Sequence, residues 1–146
     1  MLTRIDHVGI ACRDLDAKVV FYESVFGLTV VSLEVNEEQG VKEAMLAVTE
    51  GAPGPDATYV QLLEPLGPDT PVGKFLERRG EGVHHVGYRV VDLEASMAAA
   101  AAAGIRLIDS RPRHGSLGAS IAFLHPRDIG GVLTELVQSA PAPGQE

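Results

Sequence analysis

Four side chains in this sequence are of types that together can hold a divalent metal ion: His7, Gln61, His85 and Glu135. Two imidazoles with two hard oxygen donors suit an octahedral ion such as Co²⁺, Mn²⁺ or Ni²⁺, with two positions open to a substrate. Zn²⁺ is compatible, although it usually takes four ligands in a tetrahedron and leaves less room for a bidentate substrate. Singly, none of the four is diagnostic. A strand histidine is more often a hydrogen-bonded core residue than a ligand. Gln61 alone reads as a cross-strand partner, and Glu135 alone as a surface residue. What sets them apart is that they recur at equivalent places of a repeat.

The repeat is short and ordered. "DHVGIACRDLDA" (Asp6–Ala17) aligns with "HHVGYRVVDLEA" (His84–Ala95), so that His7 falls on His85, Gly9 on Gly87 and Asp14 on Asp92. Both read as strands, in which successive side chains point to opposite faces. In the first copy Val8 and Ile10 share one face, while His7, Gly9 and Ala11 share the other. The apolar face belongs against a helix, and the His/Gly face is left to line a concave side. The doublet His84–His85 must therefore split. His84 points with Val86 towards the helix layer, and His85 takes the place of His7. Further on, "YVQLLE" sets Gln61 between apolar neighbours, and "LTELVQ" sets Glu135 at the same relative position.

The elements that carry these residues follow. After each histidine motif comes a helical stretch, "DAKVVFYESVFG" and "EASMAAAAAAG", with Asp14 and Asp92 as N-caps. Gly27 and Gly104 stand where a helix ends in the left-handed conformation. The alanine run Ala98 to Ala103 has the highest helix propensity and little bulk, which suits close packing on a sheet. The segments "LTVVSLEV", "VKEAMLAV" and "TYVQLLEP" in the first half, and "IRLIDS", "ASIAFLHP" and "GGVLTELVQ" in the second, read as strands separated by Gly/Pro/Asp clusters. The fold class is α+β: two paired βαβββ modules forming a curved eight-stranded sheet around a metal-binding cleft. Residues 1–138 form a single domain, with module one at about 3–65, a linker at about 66–82 and module two at about 83–138. The linker carries a short helix around Gly73 to Arg79, and the tail 139–146 is expected to be disordered.

Composition narrows the function classes. A length of 146 residues suits one domain with its own core. A net charge of −8 argues against general nucleic-acid binding, which needs many cation–phosphate contacts, yet leaves room for an anionic small ligand at a local patch. The single cysteine, Cys12, excludes an internal disulfide and a thiolate metal cage; on the Val8/Ile10 face it is a small buried hydrophobe. No apolar run approaches a membrane span, and "MLTRIDHVG" lacks a signal-peptide core, so a cytoplasmic protein is expected. His114 and His125, in "RPRHGS" and "LHPRD", have no repeat partner and are read as turn or surface residues.

These motifs resemble the vicinal oxygen chelate superfamily (the glyoxalase, bleomycin resistance and dioxygenase proteins), and within it the methylmalonyl-CoA epimerase family. The resemblance runs from about Ile5 to Gln138. It is carried by "IDHVGIACRDLDAKVVFYESVFGL", "EEQGVKEAML", "YVQLLEPL", "GVHHVGYRVVDLEA" and "IAFLHPRDIGGVLTELVQ", in that order. It implies His7, Gln61, His85 and Glu135 as metal ligands, Co²⁺ foremost among the ions, Glu43 as general base, an acyl-CoA substrate and a homodimer. The implied reaction interconverts (2R)- and (2S)-methylmalonyl-CoA by removing the C2 proton through a metal-stabilised enolate and returning it on the other face. Glu135 is a candidate for the second acid/base group, with a metal-bound water as the alternative. The pattern departs from the family at Leu117 and Ser120 in "GSLGAS" and at Arg127, where Lys is common; these bear on the grip on acyl-CoA.

The residues themselves leave Glu43 open. In "VKEAMLAV" it points with Met45 and Ala47, so an interior face would make it a carboxylate among apolar neighbours, with its pKa pushed up towards the range useful to a base. In a run with Glu37, Glu38 and Lys42, a solvated strand glutamate is the plainer reading. Lys42, Lys74, Arg78, Arg79, Arg111 and Arg113 are available to meet CoA phosphates, and the sequence does not rank them. Three rival activities share the resemblance. A glyoxalase I-type lyase commonly has two acidic ligands, against which Gln61 counts. An extradiol dioxygenase uses two His and one carboxylate on iron, without an added Gln. A metal-free drug-binding protein needs aromatic stacking surfaces, whereas aromatics are 5% here and Trp is absent.

Overall fold

The structure, a computed structural model, describes residues 1–141. Among the described residues there are eight strands and three α-helices, an α+β fold as expected. The expected tail falls mostly on 142–146, which lie outside the described residues. The chain divides into two compact units, one of His7–His84 and the other of Met1–Asp6 with the chain from His85 on.

In the first unit, β1 (Arg4–Ala11, entering from the other unit at His7), α1 (Leu15–Phe26), β2 (Thr29–Asn36), β3 (Val41–Val48) and β4 (Thr58–Pro65) follow one another. The strands lie in the order β2-β3-β4-β1, with β1 parallel to β4 and the other neighbours antiparallel. The capping prediction holds. Asp14 accepts from the Ala17 N–H at 3.1 Å, and Gly27 closes α1 at φ 69°, where a Cβ would be strained. Leu15, on the inner face of α1, packs with Cys12, Ala44, Leu46 and Leu62. Cys12 is fully buried, and burial pushes its thiol up to about 11. A second helix, α2 (Pro71–Arg79), begins at Thr70, whose Oγ1 accepts from the Gly73 N–H. It lays Val72 and Leu76 on Ala11, Val41 and Leu63, the opposite face of the same sheet from α1.

In the second unit, β5 (Gly82–Arg89, within this unit from His85), α3 (Leu93–Ala102), β6 (Arg113–His114), β7 (Ser120–Leu124) and β8 (Thr134–Gln138) lie in the order β5-β8-β7-β6. Asp92 caps α3 at the Ala95 N–H, as Asp14 caps α1. The alanine run behaves differently from expectation. Of Ala98 to Ala103 only Ala100 is buried, and α3 packs through Leu93, Met97 and Ala100. The run therefore supplies helix propensity more than contact.

The expected strand "IRLIDS" (105–110) is not one; only Leu107 makes an isolated bridge, to Leu124. The strand of that rank is β6, two residues long and displaced to Arg113–His114. Its aliphatic residues argued for a strand, but Asp109 occupies the edge of β7 with its side chain: Oδ2 accepts the Phe123 N–H at 2.8 Å. A carboxylate stands where a strand carbonyl was expected.

The duplication extends to the ends of the last strands. Glu64 accepts the Leu15 N–H at 2.9 Å, and Gln138, at the matching position, accepts the Leu93 N–H at 2.8 Å. Each module thus uses the end of its fourth strand to satisfy an otherwise unpaired donor at the start of its helix.

Candidate functional site

The register of the parallel strands explains how each module presents a histidine with a second polar group. In the first unit Gly9 lies opposite Gln61. In the second, Gly87 lies opposite Glu135. The glycine two residues beyond each histidine has no side chain, so the residue facing it on the parallel strand gains room on that face. The same device is built twice.

In the first unit His7, Gln61 and Glu43 are 3%, 5% and 2% exposed. Glu43 shares its face with Met45 and Ala47, both buried, so the solvated reading of Glu43 is overturned. Its carboxylate Oε2 accepts from the Gln61 amide Nε2 at 3.2 Å. Because that nitrogen faces Glu43, the carbonyl oxygen Oε1 is the atom of Gln61 that can ligate a cation. Leu63 of β4 flanks Glu43 on one side, and Glu34 of β2, half-buried, lies directly opposite on the other. Glu34 escaped the sequence reading, because strand register is not visible in the residue pattern.

In the second unit His85 and Glu135 are both 4% exposed, with Nε2 of His85 3.4 Å from Oε2 of Glu135. The Phe123 ring meets the imidazole at right angles, centroids 5.3 Å apart. His84 points the other way. It packs edge-to-face on Phe75 of α2, and burial pushes its pKa down to about 4, which keeps it neutral. Asp6, at the head of β1, accepts from both Nε and Nη2 of Arg89, at 3.1 and 2.7 Å, a nearly buried ion pair between β1 and β5.

The donor chemistry fits a divalent cation. The first unit offers the His7 imidazole, the Gln61 amide oxygen and the buried Glu43 carboxylate, and the second the His85 imidazole and the buried Glu135 carboxylate. Buried carboxylates are stabilised by a counter-charge or a metal. A divalent ion is the class this set suits.

Of the cations weighed for CoA, Lys42 lies 3.5 Å from Glu64, Arg113 pairs with Asp109 at 2.9 Å, and the Arg79 guanidinium lies 5.9 Å from the Phe75 ring centre. Lys74, Arg78 and Arg111 are exposed. His114 is exposed in β6, and His125 begins a short 3₁₀ turn, where Nδ1 accepts from the Arg127 N–H. Leu117 takes φ 58°, in the left-handed region, inside "GSLGAS". No helix among the described residues is long and apolar enough to cross a membrane.

Comparison with known proteins gives the family. The model of the glyoxalase/bleomycin resistance protein/dioxygenase superfamily matches residues 6–123. Among solved structures, the Streptomyces coelicolor methylmalonyl-CoA epimerase, in complex with 2-nitronate-propionyl-CoA, is 52% identical with a TM-score of 0.91, covering 97% of this chain and 100% of that one. A methylmalonyl-CoA epimerase solved with methylmalonyl-CoA and NH₄⁺ is 54% identical with a TM-score of 0.90, covering 96% of each chain. The chain belongs to the methylmalonyl-CoA epimerase family. A curated member, the ethylmalonyl-CoA/methylmalonyl-CoA epimerase of Cereibacter sphaeroides, is 34% identical over 94% of this chain and 99% of its own. The epimerase resemblance carried by the five motifs therefore holds over nearly the whole length, and the family is one of isomerases.

Proposed function

We propose that this chain is a methylmalonyl-CoA epimerase that interconverts the (2R) and (2S) thioesters by moving the C2 proton. The observation that carries the reading is Glu43: a strand carboxylate buried to 2% exposure and oriented by the Gln61 amide. A carboxylate fixed in that way and screened from bulk water is a general base in waiting.

His7, Gln61, His85 and Glu135 would hold one divalent ion, Co²⁺ foremost, with Mn²⁺, Ni²⁺ or Zn²⁺ as alternatives. His7, His85 and Glu135 each offer one ligand atom and each is buried. When bound, the ion supplies Lewis acidity to the thioester and carboxylate oxygens of the substrate, worth several kcal/mol. The chain's own groups do the rest. Glu43 takes the C2 proton on one face. Glu135 is the candidate to return it on the other, with a water molecule as the alternative. Gln61 serves two roles through one amide, since its nitrogen orients the base while its oxygen faces the ligand task. Holding C2 between fixed groups makes the proton transfer effectively unimolecular.

Incubation of the protein with (2R)- or (2S)-methylmalonyl-CoA in D₂O, with and without Co²⁺, tests the reading. Metal-dependent deuterium at C2 is expected, and its absence with both isomers would remove the epimerase assignment. Ethylmalonyl-CoA belongs in the same assay, because the Cereibacter relative is named for both acyl groups. The homodimer and the cytoplasmic location are parts of this proposal, the first resting on the family resemblance and the second on the sequence reading.

A further inference from the structure

We infer that Phe123 is a positioning residue for the ligand pair His85 and Glu135, and that Asp109 holds Phe123 in place. The inference rests on the assignment of His85 and Glu135 as metal ligands. On β7 Phe123 lies directly opposite Glu135 of β8. Its ring also meets the His85 imidazole at 86° with centroids 5.3 Å apart. One side chain thus borders both members of a pair whose own atoms stand 3.4 Å apart. At 9% exposure the ring is packed, and a perpendicular aromatic contact has a preferred geometry that restricts rotation of the imidazole. A flexible aliphatic chain would not impose it.

Phe123 is in turn clamped through both backbone groups by the segment that failed to form a strand. Its N–H donates to Oδ2 of Asp109 at 2.8 Å, and its carbonyl accepts from the Ile108 N–H at 2.9 Å. The other Asp109 oxygen accepts from Nη1 of Arg113 at 2.9 Å, and Asp109 itself is 8% exposed. Removing the carboxylate would strand a buried N–H, which the structure would relieve by shifting β7. The path runs from Arg113 through Asp109 and Phe123 to the His85 ring, all within one unit.

Co²⁺ titration followed by visible absorption tests this, because the d–d bands report ligand geometry independently of turnover. Phe123→Leu is expected to bind Co²⁺ about tenfold more weakly with altered bands, the scale of losing an outer-sphere partner. Its kcat should fall with KM nearly unchanged. In metal-free protein the ¹⁵N resonances of the His85 imidazole should shift. Asp109→Ala should follow Phe123→Leu, whereas Asp109→Asn, which keeps an oxygen for the Phe123 N–H, should stay near the parent. Thermal melting of each metal-free variant checks folding; if Phe123→Leu does not fold, Phe123→Met takes its place in the comparison. A folded Phe123→Leu with parental Co²⁺ affinity, bands and His85 resonances would overturn the inference, and a parental Asp109→Ala would overturn its second half. A parent protein that binds no Co²⁺ would instead remove the ligand assignment beneath it.

Discussion

Gln61 turns its amide nitrogen onto the Glu43 carboxylate across 3.2 Å, and the two residues lie on neighbouring antiparallel strands with 5% and 2% exposure. One amide therefore links the proposed base to the proposed ligand set. Loss of Glu43 should act on proton transfer alone, whereas loss of Gln61 should reach both the base and the ligand set.

Glu43→Gln keeps the shape and removes the base. Deuterium incorporation at C2 should fall by about 10²–10⁴-fold, the range for loss of a general base, while metal content by atomic absorption stays parental. Exchange at the parental rate would take Glu43 out of the mechanism.

Metal removal should be reversible. After dialysis against a chelator, epimerisation should drop to background, with the far-UV circular dichroism spectrum unchanged, and return on addition of Co²⁺. His7→Ala and His85→Ala should each lower the metal content of purified protein. A chelated sample that keeps full activity contradicts the proposed site.

The Asp6–Arg89 pair predicts a stability effect away from the chemistry. Arg89→Met leaves the nearly buried Asp6 carboxylate without its guanidinium, which costs about 3–5 kcal/mol. Adding Asp6→Leu should recover most of that loss, since an apolar pair of similar volume replaces two desolvated charges. Urea midpoints of the two variants measure it, and equal midpoints would show that the pair contributes as little as an exposed one.

His84 gives the metal-free protein an acid-side slope. Burial holds its pKa at about 4 in the fold, against an ordinary 6.5. As pH falls below about 6.5 the unfolded chain takes up the proton first, so stability is lost between about pH 6.5 and 4 and is unaffected above that window. The full effect is at most about 3 kcal/mol. His84→Phe should flatten this part of the stability profile, and an unchanged slope would assign it to carboxylates instead.

Much of this protein could be read in one dimension. Strand alternation separated His85 from His84, and the structure sets His84 on Phe75 and buries His85. Aspartate N-caps opened α1 and α3 and Gly27 closed α1, whereas α3 ends on Ala103 with Gly104 one residue beyond at φ 86°. Such caps are legible because they act within four residues of chain. The β-rich composition misled at "IRLIDS", where Asp109 takes the hydrogen bond of a missing strand. Glu34 and Phe123 gave no local signal, since each matters only through the residue placed opposite it on the next strand.

The sequence by itself determined the duplicated modules, the helix ends and the types of donor on offer, since these follow from periodicities and short-range hydrogen bonds that a linear pattern records. Only the tertiary structure decided that Glu43 is buried rather than solvated, that Gln61 turns its nitrogen to it, and that Phe123 lies against His85. Register and burial depend on which strands pair and what covers them, and those contacts join residues far apart in the chain.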